Sequence, residues 1–529
     1  MPTATSEPPV LIVGAGPVGA TLAAVLAQHG VPSLVVDRAR TASRHPKMDF
    51  LNGRSMEHFG RLGLAEEIRS LGVPADHLFN FQWIETLDRP PVSVWEYPSV
   101  DQVRVRMAEL NDGTMPREPY QRVIGSRLEE LGRRQLRRSP LTRLREGWAF
   151  EGFRQDADGV DATLATADGE RETVRVRYLV GCDGANSTVR QAAGIDSRSV
   201  EPEVTHRDVF FRSTDPVLHR HGRFFLTIAA RGLTLVSRDG DQLWTGTFPL
   251  FEPEQRDVDP VTELRSRLGV DVRVDEVLVV ADWVGRLAVA DTYRRGRVFV
   301  AGDAAHQFFP TGGHGANTGI GDAVDLGWKL AATVHGWAGP GLLDSYQAER
   351  RPVALFNREM CANLLDVWRR YPTLAAAGAS RAQLAGFLDQ ERHQIDNIGI
   401  HFGQRYHDSP VVPRESGSEP AWDWRRITPT SWPGGRLPSV RLADGTELYD
   451  LLGPVLTLLD CSGSHAGKGL VDEAAGRGLP LAHVVVDEPH ARQVLERGLV
   501  LVRPDQHVAW RADQAPADPA ALLDLVLGH

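Results

Sequence analysis

Along the first forty residues the spacing of apolar positions changes twice. Four consecutive apolar residues at 10–13 are followed by glycines, by an alanine-rich stretch to about position 29, and by a second apolar run that stops at Asp37. Short apolar runs bounded by turn residues predict buried strands, and the longer stretch between them is typical of a helix. The chain is therefore predicted to open with a strand–turn–helix–strand unit.

A second strand–turn–helix pattern lies at residues 297–336. A short apolar run ends at Asp303, a glycine-rich loop follows, and apolar residues then recur with helical spacing. Asn317 or Thr318 is the predicted N-cap of this helix, and Gly336 ends it. The loop glycines allow backbone N–H groups to approach a ligand, and the positive end of the helix points at the same place.

Strand-like and helix-like patterns alternate along the rest of the chain. Strands are predicted within 141–180 and 195–290, and another set begins at about 437. The helical patterns cover 126–138, 259–268 and 344–370. This alternation predicts an α/β protein with more than one domain, which a length of 529 residues also allows.

Composition narrows the class of protein. The net charge is −10, so no excess of basic residues supports nucleic-acid binding. The three cysteines, Cys182, Cys361 and Cys461, are too widely spaced for a metal site or a disulfide framework, and we predict no metal. The N-terminal segment MPTATSEPP has no basic region followed by an apolar one, and no apolar run approaches ~18 residues. We expect a cytoplasmic protein.

The first glycine turn carries a nucleotide-binding pattern. Gly14, Gly16 and Gly19 form G-x-G-x-x-G directly after a predicted strand, and Asp37 ends the next strand. In this context the glycines allow a pyrophosphate to approach the helix N-terminus, and the acid is placed for a ribose hydroxyl. The pattern predicts a cofactor that contains ADP, and it leaves the choice between NAD and FAD open.

Three further segments carry a resemblance to a known family. Residues 302–330 follow the signature GD-A-A-H-x-x-x-P-x-G-G-x-G-x-N-x-G-x-x-D-A-x-x-L-x-W-K-L, residues 178–190 read YLVGCDGANSTVR, and residues 344–354 read DSYQAERRPVA. In these segments the chain resembles the single-component FAD-dependent aromatic hydroxylases, typified by p-hydroxybenzoate and phenol hydroxylases. The resemblance is nearest to the hydroxylases that tailor aromatic polyketides and related antibiotics.

This resemblance implies FAD as the bound cofactor, with NADPH or NADH as a transient electron donor. It also implies a set of cofactor-binding residues: Gly14, Gly16, Pro17, Gly19, Asp37, Arg38, Arg54, Asp183, Gly302, Asp303, Pro310, Gly313, Gly315, Ala316 and Asn317.

The fold implied by the resemblance is α/β: a Rossmann-like FAD-binding domain of the GR2 type, an inserted substrate domain with a mixed β-sheet, and a thioredoxin-like C-terminal domain. The FAD-binding domain is expected in three parts, 1–75, 111–194 and 291–400. The substrate domain is expected at 76–110 and 195–290, a linker at 401–436, and the thioredoxin-like domain at 437–529. Cys461 has no C-x-x-C partner, so the last domain is expected to lack disulfide exchange.

The resemblance implies an FAD-dependent monooxygenase that uses NAD(P)H and O2. A flavin C4a-hydroperoxide would hydroxylate a phenolic or polyketide-derived aromatic molecule, and a homodimer is possible. No residue stands out as catalytic; the candidates are Lys47, His314 and Pro310. The residues expected to line the substrate space are Trp83, Phe225, Thr227, Trp244, Thr247 and Phe248.

Other functions fit the same motifs. Baeyer–Villiger oxygen insertion would use the same cofactor chemistry on a ketone. A non-catalytic flavoprotein could sequester an aromatic metabolite, and a classical oxidase would take electrons from its substrate instead of from NAD(P)H. The motifs leave the donor nucleotide, the substrate and the position of hydroxylation open.

Overall fold

The protein is described by a computed structural model that covers residues 8–529, so the beginning of the N-terminal segment discussed above, residues 1–7, lies outside the description. The first twelve strands are β1 (Val10–Val13), β2 (Ser33–Asp37), β3 (Phe50–Leu51), β4 (Phe81–Ile84), β5 (Ser93–Trp95), β6 (Gln121–Arg122), β7 (Thr142–Glu146), β8 (Trp148–Gln155), β9 (Val160–Thr166), β10 (Arg171–Val176), β11 (Tyr178–Gly181) and β12 (Ser197–Ser199). The remaining strands are β13 (Val204–Arg212), β14 (Leu226–Ala229), β15 (Leu233–Ser237), β16 (Leu243–Leu250), β17 (Glu276–Gly285), β18 (Ala288–Ala290), β19 (Arg294–Arg295), β20 (Val298–Val300), β21 (His306–Gln307), β22 (Leu456–Asp460), β23 (Leu481–Val485), β24 (Leu499–Val502) and β25 (Val508–Ala512).

The α-helices lie between and after these strands. They are α1 (Pro17–Gln28), α2 (Gly53–Arg61), α3 (Ala65–Leu71), α4 (Val100–Glu109), α5 (Gly125–Arg138), α6 (Thr188–Ala192), α7 (Pro260–Leu268), α8 (His314–His335), α9 (Gly341–Ala376), α10 (Arg381–Glu391), α11 (Ile398–Phe402), α12 (Lys468–Gly476), α13 (Pro489–Leu495) and α14 (Pro519–Leu527). None of the helices in the described part of the chain combines the length and the apolar character needed to cross a membrane.

The first sheet has the order β19-β20-β11-β1-β2-β7, in which β20, β11, β1, β2 and β7 are parallel. Successive residues of β1 point to opposite faces, as the pleat of a strand requires. Val10 and Ile12 pack with α1 and α8 on one face, while Leu11 and Val13 pack with the three-stranded sheet β8–β10 on the other. Burial on both faces explains why the strand is an uninterrupted apolar run.

The second sheet has seven strands in the order β17-β13-β16-β15-β14-β4-β5. Its strands pair antiparallel except for β14 and β4, which are parallel, so the predicted mixed sheet is confirmed. Strands β4 and β5 come from the segment 76–110 and join strands from 204–285.

The C-terminal sheet has the order β23-β22-β24-β25, with β22 and β23 parallel and the other pairs antiparallel. Helix α12 connects the parallel pair, α13 leads into β24, and α14 follows β25, as in a thioredoxin fold. Cys461 directly follows β22, and burial raises the pKa of its thiol to about 11. A thiol with this pKa is a poor nucleophile at neutral pH, which agrees with the missing C-x-x-C.

Two features differ from the sequence-based expectations. Helix α8 begins at His314, three residues before the predicted N-cap, because Gly313 adopts a left-handed φ of 66° and starts the helix without a side-chain cap among the described residues. The segment 401–436, predicted as a linker, packs against the C-terminal sheet: Tyr406 stacks on His507 at 4.4 Å, and Gly434 N donates to Val508 O at 2.8 Å.

Candidate functional site

A large cavity lies where the carboxyl ends of the parallel strands meet the second sheet. Its volume is about 1600 Å³, above the ~300–1,000 Å³ typical of a pocket for one small ligand. Gly14, Asp37, Asp183 and Asp303 line it, and each follows or ends one of β1, β2, β11 and β20. Parallel α/β sheets bind ligands at this edge, because the loops that follow the strands converge there.

The first glycine turn forms the floor of one end of the cavity. Gly14 has a φ of 108°, and a Cβ at this position would lie 2.3 Å from Cys182 O. A Cβ on Gly16 would meet no heavy atom of the described residues within 4 Å and would extend into the cavity, which Gly16 and Pro17 line. Helix α1 begins here without a side-chain cap among those residues, so its first N–H groups are available to an anion.

Two acidic residues shape the neighbouring loops. Asp37 accepts hydrogen bonds from Ala15 N and Ala39 N, each at 2.7 Å, and its carboxylate lies 3.1 Å from Arg133. Asp183 accepts from Thr188 N at 2.7 Å. Both carboxylates hold backbone turns in place and also face the cavity, as does the exposed Arg38.

The other end of the cavity is bordered by Asp303 and by the loop 310–316, which we call the proline–glycine loop. Pro310, Gly313, Gly315 and Ala316, which were predicted to bind the cofactor, line the cavity. Enclosure by the protein raises the pKa of Asp303, while His306 and Lys47 act in the opposite direction. The Asp303 side chain is accessible from the cavity, so its carboxyl group can hydrogen-bond to a hydroxyl of a bound ligand.

Lys47 belongs to the cavity wall. It has a φ of 51°, its side chain is 61% exposed, and its Nζ lies 3.7 Å from Glu129 Oε2. Glu129 also accepts a hydrogen bond from Ser43 N. Lys47 is the one of the three candidate catalytic residues that brings a charge to the cavity; Pro310 contributes shape, and His314 lies elsewhere.

Several residues predicted to bind the cofactor lie outside the cavity, and these predictions are corrected here. A Cβ on Gly19 would lie 2.0 Å from Gly14 O, and one on Gly302 would lie 2.9 Å from Val18 Cγ2, so both glycines serve close packing. The Asn317 amide bonds Phe50 O and Gly313 O through its nitrogen, and it accepts from Asn52 N through its oxygen. Asn317 thus ties the proline–glycine loop to the start of α2 from behind.

Arg54 was expected near the cofactor phosphates but points toward the C-terminal domain. Its guanidinium donates to Glu57 Oε2 at 2.9 Å, to Gln506 Oε1 at 2.5 Å and to Asp505 O at 2.7 Å. Arg54 lies in the first turn of α2. Its side chain is directed by contacts with Asp505 and Gln506, in the turn between β24 and β25, and Gln506 is 452 residues away along the chain.

His314 also lies away from the cavity. The ring is buried next to His401, with 5.6 Å between ring centroids, and burial lowers its pKa to about 4. The two residues line a separate polar cavity of about 50 Å³ behind the proline–glycine loop. A neutral imidazole in this position is not placed to accept a proton from a substrate in the main cavity.

Two of the six residues expected to line the substrate space do so, Phe225 and Thr247. Trp244 and Phe248 lie on the opposite face of β16, where a Cβ on Gly246 would meet Leu264 of α7 at 2.4 Å. Alternation along a strand separates them from Thr247.

The other two residues are held elsewhere in the second sheet. Trp83 is buried against Trp95 and Tyr371, with centroids 4.8 and 5.1 Å away. Thr227 accepts a hydrogen bond from the buried Gln82 at 2.7 Å. Alternation was visible in the sequence, but the face that meets the cavity was not.

Aromatic side chains form the wall of the substrate side. Phe225 stacks on Phe79 with centroids 4.6 Å apart and planes inclined by 16°, and Arg122 lies 4.2 Å above the Phe225 ring. Tyr97 and Tyr120 also line this side, and each hydroxyl donates to a backbone carbonyl, that of Ile395 and that of Pro98. Burial raises the pKa of both phenols, so they remain neutral.

Charged residues that sequence reasoning missed lie between the two ends of the cavity. Asp49 pairs with Arg122 at 3.0 Å, and Asp208 lies 2.9 Å from His45 Nε2. Burial lowers the pKa of Arg238, which lies near both carboxylates, and its Nε donates to Thr245 at 2.9 Å. The sequence did not mark these charged residues as part of a site, because they are isolated along the chain and only the folded structure brings them together.

The residues at the first end of the cavity fit FAD. The open space beside Gly16 and the free N–H groups of α1 suit a pyrophosphate, and Asp37 is placed for a ribose. Asp303 and the proline–glycine loop offer a hydrogen-bonding carboxyl group and backbone amides for the remainder of the cofactor. The aromatic side of the cavity leaves room for a second molecule.

Two segments of the chain match known protein families. Residues 7–357 match the family described as FAD binding domain, and residues 430–529 match that described as aromatic-ring hydroxylase, C-terminal. The FAD-dependent monooxygenase apdD of Emericella nidulans is 35% identical, over 98% of this chain and 90% of its own.

Solved structures agree over the whole length. RebC-10x, native and bound to K252c, has a TM-score of 0.87 and 34% identity, over 99% of this chain and 100% of that chain. Aklavinone-11 hydroxylase, in a ternary complex with FAD and aklavinone, has a TM-score of 0.83 and 27% identity, over 100% of both chains. With the cavity and its glycine turns, these matches show that the chain belongs to the FAD-dependent aromatic-ring hydroxylases and is an FAD-dependent monooxygenase.

Proposed function

We propose that this monooxygenase takes electrons from NAD(P)H and hydroxylates a polycyclic aromatic compound that carries hydroxyl groups, as a tailoring step in secondary metabolism. The observation that carries the proposal is the aromatic-walled space that continues from Asp303 and the proline–glycine loop into the second sheet. Its aromatic walls suit a planar substrate, and the likeness to aklavinone-11 hydroxylase supports a ring system of several fused rings.

The bound flavin supplies the chemistry of hydride acceptance and oxygen activation. The protein positions the substrate ring between aromatic side chains and excludes water from the reacting edge. Phe79, Phe81 and Phe225 are all buried and line the wall. Water exclusion matters because water in such a site leads to unproductive breakdown of reactive intermediates.

Neither the two phenols of the cavity wall nor His314 is placed to act as a general base. The phenols of Tyr97 and Tyr120 donate to carbonyl groups, and His314 lies outside. The cofactor carries the difficult step in this kind of enzyme, so binding, orientation and exclusion of water are the contributions of the chain.

The direct test is anaerobic reduction of the FAD-loaded protein by NADPH and by NADH, in which the loss of flavin absorbance measures the reduction. Each donor is tested alone and with 2-naphthol, 2-hydroxyanthraquinone or a hydroxylated tetracyclic quinone. We expect at least tenfold faster reduction with one class of aromatic, and, after air is admitted, a product heavier by one oxygen atom. Absence of reduction by either donor in every mixture contradicts the proposal.

The fate of the oxygen atom separates hydroxylation from Baeyer–Villiger insertion. Both reactions add one oxygen atom, but insertion next to a ketone gives an ester or lactone that hydrolyses in mild base. A product that retains its carbon skeleton after such treatment supports hydroxylation. A product that opens to a hydroxy acid supports the alternative on the same fold.

Assembly and location remain predictions. We propose a cytoplasmic enzyme that works on diffusible molecules, and a homodimer is a possible assembly. Light scattering coupled to size-exclusion chromatography checks the second point, with a mass near twice 58.2 kDa for a dimer.

A further inference from the structure

One row of residues crosses the second sheet and faces the cavity. In register from β14 to β17 the row is Ile228, Thr234, Thr247, Asp208 and Ala281. All five line the cavity. The row therefore presents one carboxylate and two hydroxyl groups to the cavity, between the apolar side chains of Ile228 and Ala281.

Asp208 is surrounded by hydrogen-bond donors. Its Oδ1 accepts from Thr247 Oγ1 at 2.8 Å and from Trp283 Nε1 at 3.0 Å, and its Oδ2 lies 2.9 Å from His45 Nε2. Burial opposes ionisation, but these contacts prevail and hold the pKa of Asp208 below its usual value. The carboxylate is therefore charged at neutral pH and can only accept.

The charge on Asp208 determines how the Thr247 hydroxyl is oriented. A hydroxyl has one proton, and that of Thr247 is used in the bond to Asp208. Thr247 is partly accessible from the cavity, and its remaining lone pairs can only accept a hydrogen bond there. The hydroxyl of Thr234, its neighbour in the row, makes no hydrogen bond with the described residues, so it can rotate to donate or accept.

We propose that Thr247, oriented by Asp208, is a specificity-determining acceptor that selects a substrate bearing a hydroxyl or N–H donor on the ring edge facing β16. The inference rests on the proposed function and deepens it, because it states which group the substrate must carry at this place. Asp208 is a positioning residue: it acts through Thr247. A methyl ether or a bare C–H at the same place would leave the Thr247 acceptor without a partner, in a wall from which water is excluded.

The test measures binding to the FAD-loaded, oxidised protein through the change in flavin absorbance. The probes are two matched pairs, 2-naphthol with 2-methoxynaphthalene and 2-hydroxyanthraquinone with 2-methoxyanthraquinone. We expect the wild type to bind the hydroxyl member of at least one pair about tenfold more tightly. Thr247→Val, which has nearly the same shape, should reduce that ratio to about two or less, and Thr247→Ser should keep it.

Thr234→Val is the matched control, since it removes a hydroxyl from the same row without breaking a bond of the protein. It should retain most of the preference. Thr247→Ala is a second variant in case the valine substitution disturbs folding, with flavin content and melting temperature as checks of the fold. Asp208→Asn should lower the ratio through the reoriented hydroxyl, even though Thr247 is intact.

The outcomes separate this proposal from the proposed function. The proposed acceptor role of Thr247 is overturned if the wild type binds both members of each pair equally, or if the Thr247→Val variant keeps the preference. Either result leaves the proposed hydroxylase function intact. A loss of preference in Thr234→Val that equals the loss in Thr247→Val also overturns it. Failure of every aromatic probe to bind or to accelerate flavin reduction overturns the proposed function instead.

Discussion

The three glycines of the first turn share one motif but have three different surroundings. Gly14 combines a φ of 108° with a neighbouring carbonyl 2.3 Å from the position of a Cβ, and a Cβ on Gly19 would lie 2.0 Å from Gly14 O. Gly16 has open space around it on the cavity side. At the scale of a residue, two of these positions serve folding, and one serves the approach of a ligand.

This difference predicts opposite results for alanine substitutions. Gly14→Ala should lower the free energy of unfolding by at least ~1–3 kcal/mol, because the backbone strain and the contact with Cys182 both disfavour a Cβ. Gly16→Ala should leave the stability of the FAD-free protein within ~1 kcal/mol and weaken FAD binding at least tenfold. Urea denaturation and flavin titration measure the two effects; the reverse pattern contradicts the assignment.

Helix α8 shows how an element adapts to the site beside it. Its first residue, His314, carries a buried imidazole at the positive end of a 22-residue helix. Burial lowers the pKa of His314 to about 4, and a protonated ring would also oppose the helix dipole. Helix α8 therefore requires a neutral His314, and this requirement makes the stability of the fold depend on pH.

The sign of the pH effect follows from that pKa. Because the folded-state value lies below the unfolded value of ~6.5, the unfolded chain takes up the proton first, so the stabilising effect of the neutral ring is complete above about pH 6.5 and is lost as pH falls toward 4. When the pH falls from 7 to 5, the His314→Gln variant should lose about 2 kcal/mol less unfolding free energy than the wild type, because glutamine does not take up a proton.

Denaturation at both pH values checks this, with His393→Gln as the same change at an exposed position. If His314 were instead a base in the cavity, its substitution would shift the pH profile of flavin reduction or turnover. An unchanged pH dependence of stability in His314→Gln would refute the buried, neutral role.

At the scale of the whole molecule, the C-terminal domain inserts a hairpin turn into the FAD-binding domain. Arg503 bonds Glu349 of α9 at 2.7 Å and Asp325 of α8 at 2.9 Å, and Asp505 pairs with Arg503 at 2.6 Å. Lys329 bonds the same Asp325 and Glu349. The three acids are close enough to hold a metal, but Arg503 and Lys329 already pair with them.

This network predicts that the C-terminal domain supports the helix behind the flavin site. Arg503→Met should destabilise the protein by ~3–5 kcal/mol, because buried carboxylates lose their partner. Arg497→Met, in the same domain but 40% exposed and 3.7 Å from Glu415, should cost less than ~1 kcal/mol. Thermal unfolding of the FAD-loaded variants measures the difference, and equal effects would contradict a role for the buried network.

Local sequence patterns predicted the parts of the site in which the function depends on backbone conformation. The turns at Gly14 and Gly313, the strand that ends at Asp37, the strand that precedes Asp303 and the family itself were all accessible from short segments. The linings of the substrate side were predicted poorly. Trp244, Thr247 and Phe248 were all candidates because the sequence did not fix which face of the strand meets the cavity, and of the three only Thr247 lines it.

The sequence by itself predicted a cofactor that contains ADP and, through its resemblance to a family, FAD and a monooxygenase, because glycine turns and strand ends act through neighbouring residues and leave a readable spacing. The tertiary structure alone decided which face of each strand meets the cavity and where long side chains point. Arg54 turns toward Gln506, His314 is sealed next to His401, and Asp208 meets Thr247 across two strands. These contacts join residues far apart in the chain, and no local spacing encodes them.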